Sequence, residues 1–397
     1  MKKRILLVAM AQSIHVVRWI SQFQNEDVEI HLFSSGGWKL HSELKGVIFH
    51  FPLSPFAISV TNNKPNKFKL LLQRVYRVLD FFRRRLLERF SPYFLSKRLI
   101  NVIHKVNPDF VHSLEIQAAG YLVLDAKRQF NGNFPPWLVT NWGSDIYLFG
   151  RLQEHNERLR DVLANCNYYS CECERDINLA KKFGFNGQVM PVFTNTGGFD
   201  LSKLIIERAK VPTSSRKVIL LKGYQNWAGR ALVGLRALER CIDLLGGYEI
   251  YIYSASPDLE LAAKLFEEAH GVSIKIIPDN TSHKDMLSLH ANARVSIGLS
   301  ISDGVSTSFL EAIVMGSFPI QSCTACANEW IEHGVGGMIV PPEDPDIVEI
   351  NIRKALTDDK LVDKAAEYNW KVIEQKLCKE MVRINAVSIY QSIFNET

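Results

Sequence analysis

The sequence predicts an α/β protein built as two Rossmann-like, doubly wound domains facing a cleft, with C-terminal helices packing back toward the N-terminal domain. Three observations carry that expectation. The chain has 397 residues, 47% hydrophobic and 22% charged, too long for one ordinary core, since single cores stop growing near about 250–300 residues. Short apolar runs rich in β-branched residues alternate with helix-period stretches, the pattern of parallel sheets covered by helices. Each half of the chain holds enough such units for a sheet of its own. The same composition excludes disorder, collagen-like repeats and a disulfide-stapled miniprotein.

In the first half the strand-like runs are Ile5–Met10, Val28–Phe33, Val47–Phe51, Asp109–His112, Trp137–Thr140, Asn167–Cys171 and Gln188–Val192. The turn-rich Asn195–Asp200 and the polar Val211–Arg216 mark the junction, giving an N-terminal domain over 1–200. In the second half the runs are Lys217–Leu221, Tyr248–Tyr253, Ser273–Ile277, Val295–Leu299, Phe318–Gln321 and Gly337–Val340, giving a second domain over 201–370. From Asp358 the pattern is helical to the end, and 371–397 is read as a terminal helix.

The N-terminus imitates a signal peptide, with Lys2-Lys3-Arg4, an apolar run from Ile5 and Ala9-Met-Ala11. That run is at the shortest end of the range and leads directly into a helix start, so a first β-strand explains it better. No run of about 18 apolar residues occurs, and a cytoplasmic protein is expected. The seven cysteines sit singly or in unlike pairs. Cys323-Thr-Ala-Cys326 lacks a second C-x-x-C, so ordinary reduced thiols are favoured over a redox or zinc site.

Charge is uneven. From Lys64 to Arg98 eleven Lys/Arg face only Asp80 and Glu88, a local +9 that leaves −4 for the rest of a chain whose total is +5. Phe68, Leu71, Leu72, Val75, Leu79, Phe82, Leu86 and Phe90 recur every three to four residues there, with Lys67, Arg74, Arg77, Arg84 and Arg85 largely off that stripe. A surface for anionic lipid headgroups or a lipid-diphosphate acceptor competes with a plain solvated helix face. Nucleic acid is not expected, because no nucleic-acid module surrounds the segment and the rest of the chain is acidic.

In doubly wound sheets ligands bind beyond the strand C-terminal ends, so residues just after strands are the informative ones. The strongest constellation runs from Ser300 through Asp303-Gly304-Val-Ser306-Thr307-Ser308 and Glu311 to Gly316 and Pro319. Ser306 is a helix N-cap candidate, and the amides of Ser306, Thr307 and Ser308 suit a phosphate. Glu311 lies one turn inside, where a carboxylate can accept two hydrogen bonds from adjacent hydroxyls. A helix-capping loop with a solvated Glu is the plainer alternative.

This stretch resembles the acidic signature of the retaining, GT-B-fold glycosyltransferases of family 4 (glycosyl transferases group 1), in which two glutamates separated by seven residues precede a turn carrying Gly and Pro. The resemblance extends through Asn328-Glu-Trp-Ile331, Gly334-Val-Gly-Gly337 and Val340-Pro-Pro342. It implies that Glu311 holds the nucleotide ribose. It also implies that Asp303, standing where the first glutamate normally sits, contacts the donor sugar. After the strand Lys217–Leu221 come Lys222, Gly223 and Arg230. In the family a Gly-Arg pair here and a Lys about six residues on clamp the diphosphate. Tyr224 occupies the first basic position, Arg230 falls within one residue of the second, and Lys222 can compensate. Ile277-Pro278-Asp-Asn-Thr-Ser282-His283 resembles the loop cradling the base, with a plain surface turn as the alternative.

The first half carries the acceptor side. Ser13, His15 and Arg18 follow the first strand without a G-x-G-x-x-G, which weakens a dehydrogenase reading. Asn141 and Asp145 follow the strand Trp137–Thr140, and His112 with Glu115 follow another; each is a candidate for orienting or deprotonating an acceptor hydroxyl, against capping and turn bonding. Asp344-Pro-Asp346 imitates a D-x-D metal motif but sits in a Pro-rich turn, so no metal is expected. The expectation is therefore a sugar transfer from a nucleotide-diphosphate sugar, which is a co-substrate, with no cofactor. The acceptor is a saccharide or lipid-linked molecule in surface polysaccharide or lipopolysaccharide synthesis. A non-catalytic nucleotide-sugar or lipid binder, or an epimerase, remains the alternative on the same scaffold.

Overall fold

The computed structural model describes residues 2–37, 39–52, 57–60, 93–195, 197–208 and 210–396. The chain forms two units. The first is Met1–Gly197 together with Arg383–Thr397, and the second is Gly198–Val382.

In the first unit the elements are β1 (Lys3–Ala9), α1 (Ile14–Ser21), β2 (Val28–Ser34), β3 (Val47–His50), β4 (Ala57–Val60), α2 (Phe94–Val106), β5 (Phe110–Leu114), α3 (Tyr121–Gln129), β6 (Trp137–Thr140), α4 (Ser144–Tyr147), α5 (Gln153–Asn165), β7 (Tyr168–Ser170), α6 (Glu174–Lys182) and β8 (Gln188–Val189). The strands are ordered β4-β3-β2-β1-β5-β6-β7-β8, parallel throughout except that β4 runs antiparallel to β3. β1 is apolar on both faces because helices cover both. Leu6 and Val8 join Phe33, Val111 and Val139 in a core with α2, α3 and α5.

The second unit adds α7 (Leu201–Arg208), β9 (Val218–Lys222), α8 (Ala231–Arg240), β10 (Glu249–Tyr253), α9 (Pro257–His270), β11 (Ile274–Ile277), α10 (His283–Asn292), β12 (Ala293–Gly298), α11 (Thr307–Met315), β13 (Phe318–Ser322), β14 (Met338–Val340), α12 (Pro345–Thr357), α13 (Asp359–Lys376) and α14 (Lys379–Glu396), the last crossing into the first unit at Arg383. Its parallel sheet is ordered β11-β10-β9-β12-β13-β14. One face packs on α8, α9 and α12 through Ile219, Leu221, Ile250, Ile252 and Ile297.

Every run read as a strand forms one, with ends shifted by a few residues. β4 was not expected: it is a four-residue, partly exposed edge strand, with too short an alternation to register. The basic stretch 64–98 lies outside the described residues up to position 92. Lys97 and Arg98 fall on α2, which turns Leu99, Val102, Ile103 and Val106 inward.

Candidate active site

In the second unit the order of strands reverses between β9 and β12, the switch point at which open α/β sheets bind ligands. Two loops leave the sheet there, 223–230 after β9 and 299–306 after β12, and they are stitched together. The Arg230 amide donates to the Leu299 carbonyl at 3.0 Å and the Ile301 amide to the Ala228 carbonyl at 2.9 Å. The Asn226 side-chain oxygen accepts from the Ala228 and Gly229 amides, both at 2.9 Å. Two glycines are there for packing inside the protein. A Cβ on Gly223 would sit 2.7 Å from the Ala255 Cα, and one on Gly229 only 2.1 Å from the Tyr224 carbonyl oxygen.

Lys222, the last residue of β9, brings a cation into this switch point. Its Nζ donates to Ser306 Oγ at 3.2 Å, lies 4.0 Å from Asp303 Oδ2 and sits 4.8 Å from the centre of the Tyr224 ring. Asp303 Oδ1 accepts from the Gly304 amide at 2.9 Å, and the Gly304 carbonyl accepts from the Cys326 amide at 2.9 Å. Ser306 is the N-cap of α11 but its side chain makes no capping bond. Its hydroxyl turns instead to Lys222 and to Ser308 Oγ, 3.0 Å away. The first amides of a helix have no intrahelical acceptor, so the N–H groups at Thr307 and Ser308 and the Lys222 ammonium together favour an anion, with the Asp303 carboxylate alongside.

Glu311 lies one turn into α11 and is buried. Its Oε1 is 2.9 Å from His283 Nε2 and its Oε2 is 3.8 Å from His290 Nε2. Burial pushes His290 down to about 4, so it is neutral near pH 7. Tyr253 is hydrogen-bonded to the Ser308 side chain, and burial raises its hydroxyl well above the usual value. The loop before α10 is a closed turn: exposed Pro278 accepts at its carbonyl from the Thr281 amide (3.0 Å) and Thr281 Oγ1 (2.6 Å). Sequence reasoning placed His283 only at the end of the base-cradling loop, not beside Glu311, and missed His290 and Tyr253. The two histidines are seven residues apart on one helix, a spacing that could have flagged them; Tyr253 carries no signal.

Arg230 is engaged by a carboxylate and by carbonyls of its own loop. Its Nε donates to Glu343 Oε1 at 2.8 Å and its Nη1 to the carbonyls of Asn226 and Gly229, so here it braces its own loop. Asp344 caps α12, accepting from the Asp346 and Ile347 amides, and Asp346 pairs with Arg240.

In the first unit the structure separates the expected residues into two groups. His112 is enclosed, between Tyr390 Oη at 2.9 Å and Thr140 Oγ1 at 2.7 Å, and burial pushes it down to about 3. It is a core residue, a correction to its expected place at the strand mouth. Asn141 is likewise buried, donating to Asp176 Oδ2 at 2.7 Å, and ties β6 to α6.

Near the β1/β5 switch point stand the others. Asp145 Oδ2 accepts from the Trp142 and Ile116 amides at 2.9 and 3.1 Å. Burial, and then the neighbouring Glu115 charge, push Asp145 up to about 8. Glu115 holds a positive φ of 76° and caps the turn after it by accepting from the Ala118 and Ala119 amides; burial raises its carboxyl as well. His15 sets its ring edge-on to Trp142 at 5.4 Å. Arg18, on the same helix, is half-buried, and its carbonyl accepts from Ser21 and Gln22.

Two Rossmann-like units in one chain, the second with an anion-receptive switch point, are the architecture of the GT-B glycosyltransferases. Residues 53–171 match the "Glycosyl transferase 4-like" family and residues 260–372 match "Glycosyl transferases group 1". Together these segments span more than half of the chain, which belongs to the GT-B-fold glycosyltransferases. Among solved structures it is similar to sucrose-phosphate synthase from Thermosynechococcus elongatus (14% identity, TM-score 0.72, 100% of both chains). It is also similar to a glycosyltransferase from Rickettsia africae (17%, 0.63, 100% of both chains). A third is Anabaena HepE in complex with UDP-glucose (14%, 0.66, 98% of this chain and 99% of that one). No curated protein gave a significant sequence match.

Proposed function

We propose that this protein is a retaining, family-4-type glycosyltransferase that moves a sugar from a nucleoside-diphosphate sugar to a saccharide or lipid-linked acceptor in surface polysaccharide or lipopolysaccharide synthesis. The observation that carries the reading is the Lys222–Ser306–Asp303 cluster at the N-terminus of α11, with Glu311 one turn inside. Negative charge builds on the leaving diphosphate as the glycosidic bond breaks, and preoriented donors stabilise such charge most effectively in a site that excludes water. Lys222 and the 306–308 amides supply those donors, Asp303 holds the sugar hydroxyls and Glu311 holds the ribose. Arg230 can join the clamp by exchanging Glu343 for phosphate. With a fixed ammonium and helix amides in place, the reaction needs no divalent cation and no cofactor. Asp145, whose carboxyl burial raises, is suited to hold a proton at the acceptor side, with Glu115 and His15 near it. No covalent nucleophile is assigned; a front-face route assisted by the leaving phosphate fits the groups present.

Sugar transfer, or slow donor hydrolysis, by purified protein offered a panel of nucleotide sugars tests the reading, with and without EDTA. Tight nucleotide binding without turnover overturns it in favour of a binding protein, and conversion of the sugar without acceptor favours an epimerase. The +9 charge of 64–98 supports peripheral association with the inner face of the cell membrane. Among the described residues no helix is long and apolar enough to cross a membrane. Flotation with anionic liposomes that fails at low salt ends the membrane proposal.

A further inference from the structure

Tyr224 is an aromatic side chain that the core does not use. It keeps 44% of its surface accessible, yet its backbone is held on both flanks. The Gly223 amide donates to the Tyr253 carbonyl at 2.8 Å, and the Tyr224 carbonyl accepts from the Ala231 amide at 3.1 Å. Gln225 bridges to Arg230, and Gly229 passes so close that a Cβ there would lie 2.5 Å from the Tyr224 Cβ.

What this fixed ring meets is a cation. Its centre lies 4.8 Å from the Lys222 ammonium, inside the roughly 6 Å over which an aromatic face attracts positive charge. The same ammonium meets Ser306 Oγ at 3.2 Å and Asp303 Oδ2 at 4.0 Å. A lysine carries its three N–H donors on a flexible four-carbon stem, and a ligand that has to order such a stem loses affinity to its rotamer entropy. Ring and hydroxyl order it beforehand. The ring is also neutral, so unlike a second carboxylate it holds the cation without cancelling the charge. We propose that Tyr224 is a positioning residue whose ring face presets the Lys222 ammonium beside Ser306 for the diphosphate of the donor. This rests on the reading above that Lys222 meets that diphosphate.

A double-mutant cycle read by calorimetry separates the two ideas. UDP, GDP, ADP and CDP are titrated into the full chain, and the tightest binder is carried through the variants. Tyr224→Phe, which keeps the ring face, is expected to bind within about twofold of wild type. Tyr224→Leu is expected to bind about three- to tenfold more weakly, the scale of a cation–π contact. Pentafluorophenylalanine in place of Tyr224 keeps the ring but makes its face electron-poor, and is expected to lose as much as Tyr224→Leu. In a Lys222→Met background both losses should vanish, because the ring then has no ammonium to hold. A pentafluorinated ring that binds like Tyr224→Phe, or losses that persist in the Lys222→Met background, overturn the role of Tyr224 while leaving the Lys222 reading intact. Wild type that binds none of the four nucleotides, or no more tightly than Lys222→Met, overturns the Lys222 reading and the inference together.

Discussion

At the scale of single residues, the donor-site roles proposed for Lys222 and Asp303 should separate in experiment. Lys222→Met removes the ammonium beside Ser306, and the lost charge-assisted bond should weaken donor binding by about 1.5–3 kcal/mol, read as a higher donor KM. Asp303→Ala should instead abolish transfer while nucleotide affinity in calorimetry stays near wild type; unchanged turnover removes Asp303 from the chemistry. The sequence singled both out because they stand at strand ends beside glycine and hydroxyl residues. Arg230 was only half legible, because its partner Glu343 is 113 positions away. His112 was misplaced for a plain reason: the apolar run reads as ending at His112, whereas β5 continues to Leu114 with all five residues buried. Its depressed pKa has a consequence with a definite sign. A histidine kept neutral by folding contributes stability that is present above its unfolded value near 6.5 and is lost as pH falls toward about 3. Wild type should therefore lose stability on acidification below pH 6.5 more steeply than His112→Gln, measured by urea unfolding; His50 and His290, both pushed down to about 4, add the same slope to both proteins.

At the scale of elements, the loop 223–230 is the piece whose geometry the site depends on. Tyr224 at its start lies over the Lys222 ammonium, and Gly229 at its end passes so close that a Cβ would meet the Tyr224 carbonyl oxygen at 2.1 Å. Both atoms belong to or adjoin backbone, so no side-chain rotation relieves the clash. Gly229→Ala should cost about 1–3 kcal/mol of stability, as overpacking does, and should raise the donor KM by displacing Tyr224. A variant with wild-type KM would show that the loop is merely a connector. Elements of this kind are half legible. The strands β9 and β12 and the helix α11 announce themselves by apolar runs, a cap and a terminal glycine. The antiparallel bridge that stitches one loop to the other, Gly229 to Ser300, joins two segments about seventy positions apart and leaves no local mark.

At the scale of the whole molecule, the repeated strand–helix alternation made two Rossmann-like units legible, together with the return of the C-terminal helices toward the first, but not the side chains that dock there. α14 starts in the second unit and completes the first. Its residues Ala386, Ile389, Tyr390 and Ile393 are enclosed in the first unit. Tyr390 stacks on Phe23 at 4.2 Å and sets its ring edge-on to Phe110. Its hydroxyl accepts from Trp19 Nε1 at 2.8 Å and meets His112 Nδ1 at 2.9 Å. Removing it alone, as Tyr390→Phe, leaves buried polar partners unmet and should cost about 1–3 kcal/mol. Removing the whole segment goes further. Each large enclosed side chain is worth about 2–5 kcal/mol, and several together match the 5–15 kcal/mol or so that a domain has in total. A chain ending at Val382 should therefore lose the folded first unit, with the second unit, which keeps all of its own strands, still melting cooperatively. Calorimetry checks this directly: the unfolding enthalpy of the truncated chain should fall to that of the second unit alone, and the near-ultraviolet dichroism from the Trp19 environment should vanish. Full enthalpy in the truncated protein would mean that β1, α1 and β5 close their core without the returning helix.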